Sequence, residues 1–306
     1  MAHSSQAIPP PPAVTALQLL LDRVRSALAY SLRNPMLATG LVILLVLFAV
    51  GLVGPLFVDT ELAQPASAPP DLPPSAEYPF GTDDQGRNLL AVAIVGLPLT
   101  LQVGFFAGAV ALGLGTVLGV LAGYLGGAVD AVIRGLADIL LTVPGLVVLV
   151  TIAASIKGVI SVEMMSLVVA SLAWMWPTRT IRAQVLTLRE RSYVQVAKMS
   201  GMRTPEVIFA EVLPNLLPYL AASFVTSTGA AILASVGLEA LGLGPQNEPT
   251  LGMTIYWAIS FNALVRGLWW WWLMPIAFIV VLFMGLFLLS AGLDEAANPR
   301  ARRRYG

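Results

Sequence analysis

Residues 189–218 read RERSYVQVAKMSGMRTPEVIFAEVLPNLLP, and they carry Arg189, Arg191, Lys198 and Arg203 beside Glu190, Glu206 and Glu211. The chain on either side is almost wholly apolar. A polar, helix-prone island between two hydrophobic stretches has to lie outside the hydrocarbon of a bilayer, where water solvates its charges. Tyr193, Val196 and Ala197 stand at i, i+3 and i+4, and Val194 and Ala197 at i and i+3, which predicts one short amphipathic helix. Gly201 interrupts it, as a glycine supplying a left-handed closing residue does. Thr204-Pro205-Glu206 predicts a restart, with Thr204 as N-cap, Pro205 at the first helical position and an acid in the first turn. The stretch therefore reads as helix, tight turn, helix at a membrane surface. It is either a solvated connector or a docking element for a soluble partner.

Composition sets the class. Of 306 residues, 57% are hydrophobic and 11% are charged, against about 25% charged in a soluble domain. The chain is expected to be an all-α membrane protein with six transmembrane helices. It has no Cys, which excludes disulfides, thiolate metal sites and a cysteine nucleophile. Its one His, His3, stands near the N-terminus, so no histidine-based catalysis or metal site is expected.

Working outward, residues 1–35 form a tail with an amphipathic helix over 17–33 bearing Arg23, Arg25 and Arg33, and 36–57 form the first span. Residues 58–94 are a polar, Pro-rich segment ending near Phe80-Gly81-Thr82-Asp83-Asp84-Gln85-Gly86-Arg87-Asn88. Those residues are either a capped turn leading into span two or a contact surface, with Gly81, Thr82, Asp83, Gly86 and Arg87 as the contact candidates. Residues 95–292 form a core of five further spans. Span two, 97–125, carries Gly104 and Gly108, then Gly115, Gly119 and Gly123. Small residues every four positions let helix backbones approach closely in a bilayer. After a Gly126-Gly127 turn, span three covers 130–155, with Asp130, Arg134 and Asp138 four apart as an ion-pair ladder and a kink at Pro144-Gly145. Span four covers 162–176, with Trp174 and Trp176 at its interfacial end, and span five 216–236. Residues 237–267 read as a polar connection. The run Trp269–Trp272 opens span six as an interfacial belt, or less simply as an aromatic ligand site, and 293–306 form a basic tail.

With six spans, Arg87, Lys157 and Arg266 fall on one side of the membrane and the other 14 of the 17 basic residues on the opposite side. By the positive-inside rule both termini and loop 189–218 are cytoplasmic, in a multi-pass protein of the cell membrane. Lipid surrounds the spans, and no nucleic-acid partner is expected. The chain is expected not to be an enzyme and to bind no cofactor. A phosphate-binding loop needs Gly-Lys-Ser/Thr, whereas Lys157 follows Ile156 and Lys198 follows Ala197. Asp130, Arg134, Asp138, Glu163 and Glu239 all fall at or beyond span ends, unlike the mid-membrane charges of a proton-coupled carrier. A secondary transporter or channel stays as the alternative.

The organising stretch resembles the EAA loop of ABC importer permeases. Gln195-Val196-Ala197, Gly201 and Leu213-Pro214 fit the pattern, Tyr193-Val194 precede it and Asn215 follows it, as in the peptide-permease branch. Gln195 stands for the motif's acid, Val196 for its small residue, and Glu211 where a basic or aromatic residue is common. From Arg33 onward the chain is similar to the C-type membrane subunit of dipeptide, oligopeptide and nickel importers. The resemblance rests on Arg33-Asn34-Pro35, Phe80-Gly81-Thr82-Asp83, Gly86-Arg87, Asp130, Arg134, Asp138, Pro144, Arg179, Arg182, Gln184, Leu241-Gly242-Leu243-Gly244 and Asn298-Pro299-Arg300. It implies a type I ABC importer permease fold, with Tyr193–Ser200 as a coupling helix seated on a cytoplasmic ATPase. It also implies a second permease subunit, two ATPase subunits that use ATP and Mg, and an extracytoplasmic substrate-binding protein.

Overall fold

A computed structural model describes residues 34–297. The expected amphipathic segment 17–33 and the closing Asn298-Pro299-Arg300 with its basic tail lie outside the described residues. Among the described residues all regular structure is helical, apart from one isolated bridge between Thr82 and Asn88. The helices are α1 Pro35–Val53, α2 Leu89–Leu125, α3 Gly127–Thr142, α4 Gly145–Ser155, α5 Val162–Ala173, α6 Met175–Arg189, α7 Ser192–Met199, α8 Thr204–Val207, α9 Leu213–Ala240, α10 Leu251–Ser260 and α11 Trp269–Ala297. A π-turn, Ile208–Val212, joins α8 to α9.

Among the described residues, four stretches are long and apolar enough to cross a membrane: Pro35–Leu56, Leu89–Leu125, Thr204–Ala240 and Trp269–Glu295. The pair α3 and α4 makes a fifth if its two arms count as one span. Those arms meet at 84°, so the expected kink at Pro144 is a break. Proline has no N–H and pushes the residue before it out of helical geometry, and Val143 is extended. Helix α5 has 12 residues, about 18 Å at 1.5 Å per residue, and stops short of a ~30 Å hydrocarbon core. The expected polar connection 237–267 instead holds the rest of α9 and the short helix α10, whose Leu251, Gly252, Met253, Thr254 and Ala258 are buried.

Helix α2 is the central mast, and its glycines decide which neighbours it takes. Gly104 and Gly108 lie on Thr228 and Ile232 of α9, while Gly115, Gly119 and Gly123 lie on the stretch Pro177–Val185 of α6. A methyl placed on Gly108 would stand 2.6 Å from Thr228 Oγ1 and 2.9 Å from its Cα. Helices α1 and α11 approach in the same way. A methyl on Gly40 would stand 2.4 Å from the Leu289 nitrogen, and Asn34, which caps α1, donates to Glu295 Oε2 at 2.9 Å.

The tryptophan run does not form a uniform belt. Trp269 is half-exposed, but Trp271 is fully buried and stacks on Phe261, and Trp270 Nε1 donates to the Thr82 carbonyl at 3.1 Å. The run therefore anchors the segment before α2 to the start of α11.

Two alanine substitutions separate the packed face of α2 from its free one. Gly108→Ala forces backbone apart and is expected to cost about 1–3 kcal/mol. Gly113 is exposed, with nothing within 4 Å of a Cβ, so Gly113→Ala is expected to be neutral or stabilising by up to about 1 kcal/mol. Thermal unfolding of the purified protein in detergent reads the difference.

Candidate functional site

The loop between α6 and α9 has the helix, turn, helix shape its sequence suggests, but Val196, expected on the face of Ala197, is exposed. Helix α7 buries Val194 and Ala197 against Val207 and Tyr124. Gly201 takes φ +84°, the Gly201 N–H reaches the Lys198 carbonyl at 3.1 Å, and the Met202 N–H reaches the Ala197 carbonyl at 3.2 Å. That pair of bonds is a Schellman termination, and the Met202 side chain packs on the same small cluster. The restart differs by one residue from the expected N-cap. Arg203 is the extended capping residue, and Glu206 Oε2 accepts its N–H at 2.9 Å. A glutamate three residues on reaches back to the cap, so Thr204 is already helical.

Pro214 carries no N–H, and the chain turns by a π-step here: the Leu213 N–H goes to the Ile208 carbonyl five residues back. Asn215 Nδ2 donates to the Glu211 carbonyl at 2.7 Å. Gln195, at the acid's place in the motif, donates from Nε2 to the Arg189 carbonyl at 3.1 Å and so closes the end of α6 onto α7. Burial pushes the Tyr193 phenol up, with Arg191 opposing and Glu211 adding, so it stays neutral at physiological pH.

The outward face of this loop is apolar where solvent would favour polar groups. Val196 is 59% exposed, Met199 82% and Phe209 71%, beside exposed Arg191, Lys198, Arg203 and Glu206. Large apolar side chains left exposed among charged ones are a feature of protein-binding surfaces. Sequence reading included Val196 but missed Met199 and Phe209. The signal for Met199 was its i+3 spacing from Val196, on the face opposite Val194 and Ala197; Phe209 carried none.

The expected ladder is not formed. Asp130 takes both its bonds from Arg182 of α6, through Nε to Oδ1 and through Nη2 to Oδ2 at 2.6 Å. Asp138 pairs with Arg179 at 3.4 Å, and exposed Arg134 makes no ion pair among the described residues. An exposed helical i,i+4 pair contributes only about 0.2–0.5 kcal/mol, so a bidentate partner across a helix contact prevails. The acids of α3 are therefore clamps to α6. Arg189 Nη1 adds a third link, to the Gly123 carbonyl of α2 at 3.0 Å.

The five contact candidates before α2 are all buried within the chain. Thr82 Oγ1 donates to the Pro69 carbonyl at 2.7 Å and accepts from the Leu72 N–H at 2.9 Å. Asp83 accepts the Arg87 N–H at 2.9 Å and its Nε at 2.6 Å. Gly81 and Gly86 take φ +75° and +70°, positions where a side chain would be strained. These residues brace their own segment and are not free to touch a partner. Part-exposed Asp71 and Asp84 of the same segment are both held by Arg266.

Residues 115–303 match the family model described as the binding-protein-dependent transport system inner membrane component. The chain belongs to this family. The dipeptide transport system permease protein of Alkalihalophilus pseudofirmus is 30% identical over 279 residues, covering 91% of this chain and 90% of that protein. The probable D,D-dipeptide transport system permease protein of Escherichia coli is 33% identical over 230 residues, 75% of this chain and 76% of that protein. The oligopeptide transport system permease protein of Mycobacterium tuberculosis is 27% identical over 230 residues, 75% and 78% of the two chains. This permease-family chain is thus a multi-pass membrane protein. The matched region takes in loop 189–218, the α3–α6 clamps and α10, whereas the braced Gly81–Arg87 segment precedes it.

The clamps make a direct comparison possible. Arg182→Ala is expected to destabilise the permease by about 1–3 kcal/mol, as loss of charged hydrogen bonds does. Arg134→Ala is expected to stay within about 0.5 kcal/mol of the parent, as for an exposed, unpaired side chain. Equal losses in detergent unfolding experiments would restore the ladder.

Proposed function

We propose that this chain is the membrane-spanning permease subunit of an ATP-driven importer of di- or oligopeptides. Partner subunits hydrolyse ATP with Mg, and this chain binds no cofactor and has no ATPase site. The assembly holds a second permease subunit, two cytoplasmic ATPase subunits and an extracytoplasmic substrate-binding protein. The observation that carries this reading is the α7 surface: a short, rigidly terminated helix offering Val196, Met199 and nearby Phe209 outward, in a member of a binding-protein-dependent transport family. Peptide as substrate rests on the names of the relatives.

The topology we propose has six spans: α1, α2, the bent pair α3–α4, α5 continued by α6, α8 to α9, and α11. Helix α10 dips in without crossing. Both termini and loop 189–218 are then cytoplasmic, as the placement of the basic residues favours. The groove between α4, α5, the start of α6 and α9 suits varied cargo. Its lining, with Leu149, Ala173, Pro177, Ala230, Ala231 and Ala234, carries no charged group over about 210 Å³.

Two measurements test this reading. A cysteine at exposed Ala76 should react with a membrane-impermeant thiol reagent from outside intact cells, and one at exposed Ser192 should not; the reverse pattern sinks the orientation. Gly201→Val meets no neighbour, so it acts through the backbone alone, at roughly 1–2 kcal/mol for a left-handed residue. It is expected to leave the protein inserted while reducing ATPase copurification and peptide uptake severalfold. Full assembly and uptake in Gly201→Val would make the loop a mere connector.

A further inference from the structure

Glu239 is fully buried near the end of α9, among apolar helices. Its carboxylate receives Ser235 Oγ of its own helix and Thr250 Oγ1, each at 2.5 Å. Thr250 caps α10, where its Oγ1 also accepts the Met253 N–H at 3.2 Å. Glu239 thus sits at the N-terminus of α10, joined to its first turn through Thr250. No cation pairs with it among the described residues.

The space around it is fitted to it. A methyl on Gly252 would stand 2.3 Å from Glu239 Oε2, and one on Gly244 would stand 2.5 Å from its Cγ. The same end of α10 is tied to α2, since the Leu251 N–H donates to Thr100 Oγ1 at 3.0 Å. Helix α9 itself closes with a second Schellman pair: the Gly242 N–H goes to the Glu239 carbonyl at 2.8 Å, and the Leu243 N–H to the Leu238 carbonyl at 3.1 Å.

The position of this knot matters more than its strength. Helix α9 begins at the π-turn of the cytoplasmic loop and ends at Ala240, beside Glu239. Helix α10 leads on to Arg266, which holds Asp71 and Asp84 of the segment before α2, and to Trp270 and Trp271, which hold Thr82 and Phe261. Apolar side chains around α10 can slide past one another. A buried carboxylate with two hydroxyl donors has few arrangements of comparable energy, so it fixes one relative placement of the two helices.

We propose that Glu239 is a positioning residue for coupling. It locks α10 and the outer cap to α9, so that binding-protein docking at one face and ATP hydrolysis at the other act on the same rigid unit. This rests on the importer reading above. Coupling is reciprocal, so its loss shows in the response of the ATPase to the loaded binding protein.

The test uses the complete importer in proteoliposomes, with its own binding protein and a dipeptide that it retains. Variants are Glu239→Gln, Thr250→Val, the conservative Thr250→Ser, and Glu248→Gln as an exposed neighbour. Glu239→Gln and Thr250→Val are expected to keep ATPase copurification and basal hydrolysis, but to lose stimulation by the loaded binding protein about tenfold. Thr250→Ser and Glu248→Gln should keep it. Unchanged stimulation in Glu239→Gln and Thr250→Val overturns the proposal. So does a parallel fall of basal and stimulated rates, or failure of Glu239→Gln and Thr250→Ser alike to accumulate, because each marks a purely structural role. A wild-type chain that retains no ATPase would instead overturn the importer reading, and this inference with it.

Discussion

The close approach of α2 to its neighbours is the constraint on which the rest of the structure depends. In lipid, apolar side chains gain little by meeting each other, so helices associate where backbones can come near. Gly104 and Gly108 admit α9, and Gly115, Gly119 and Gly123 admit α6. One helix of 37 residues therefore sets the positions of both helices that flank loop 189–218. Once α6 lies along the lower half of α2, Arg179 and Arg182 stand where they can hold Asp138 and Asp130 of α3.

Several of the specific polar contacts in this chain sit where backbone runs out of helix. The Schellman turn at Gly201 closes α7, and a like turn at Gly242 closes α9. At one end of α9 the missing N–H of Pro214 accompanies a π-step; at the other a buried carboxylate meets the start of α10. The long helix between is apolar and uninterrupted except by Pro218. Such an element can carry displacement from end to end, because its own hydrogen bonds hold its length and its ends are fastened by specific contacts.

The segment before α2 follows the same logic. Its turn is satisfied internally by Thr82, Asp83 and Arg87, and its outer side is fastened by Arg266 and Trp270. A long loop rich in proline has few N–H groups for a regular ladder. Scattered backbone bonds cross it, such as those from the Ala68 N–H to the Gly86 carbonyl and from the Thr82 N–H to the Leu72 carbonyl, and the buried Thr82 and Asp83 side chains accept further N–H groups.

The sequence by itself determined the class and the local shapes. Apolar stretches of span length, the helix–glycine–helix of 189–218 and the glycine spacing of α2 all depend on residues within four or five positions of each other. Physical chemistry at that range is written in order along the chain. Tertiary structure decided the partners. Asp130 chooses Arg182, 52 residues away, over Arg134 at i+4, because helix crossing brings a planar two-point donor to it. Glu239 read as lying beyond a span and is buried, because α10 folds back onto α9 and supplies Thr250. Trp271 read as interfacial and is enclosed by Phe261 and its neighbours. A glycine stripe announces that something comes close but carries no label for what. That is fixed only when the crossing angles and the breaks at Pro144 and Pro214 place distant side chains side by side.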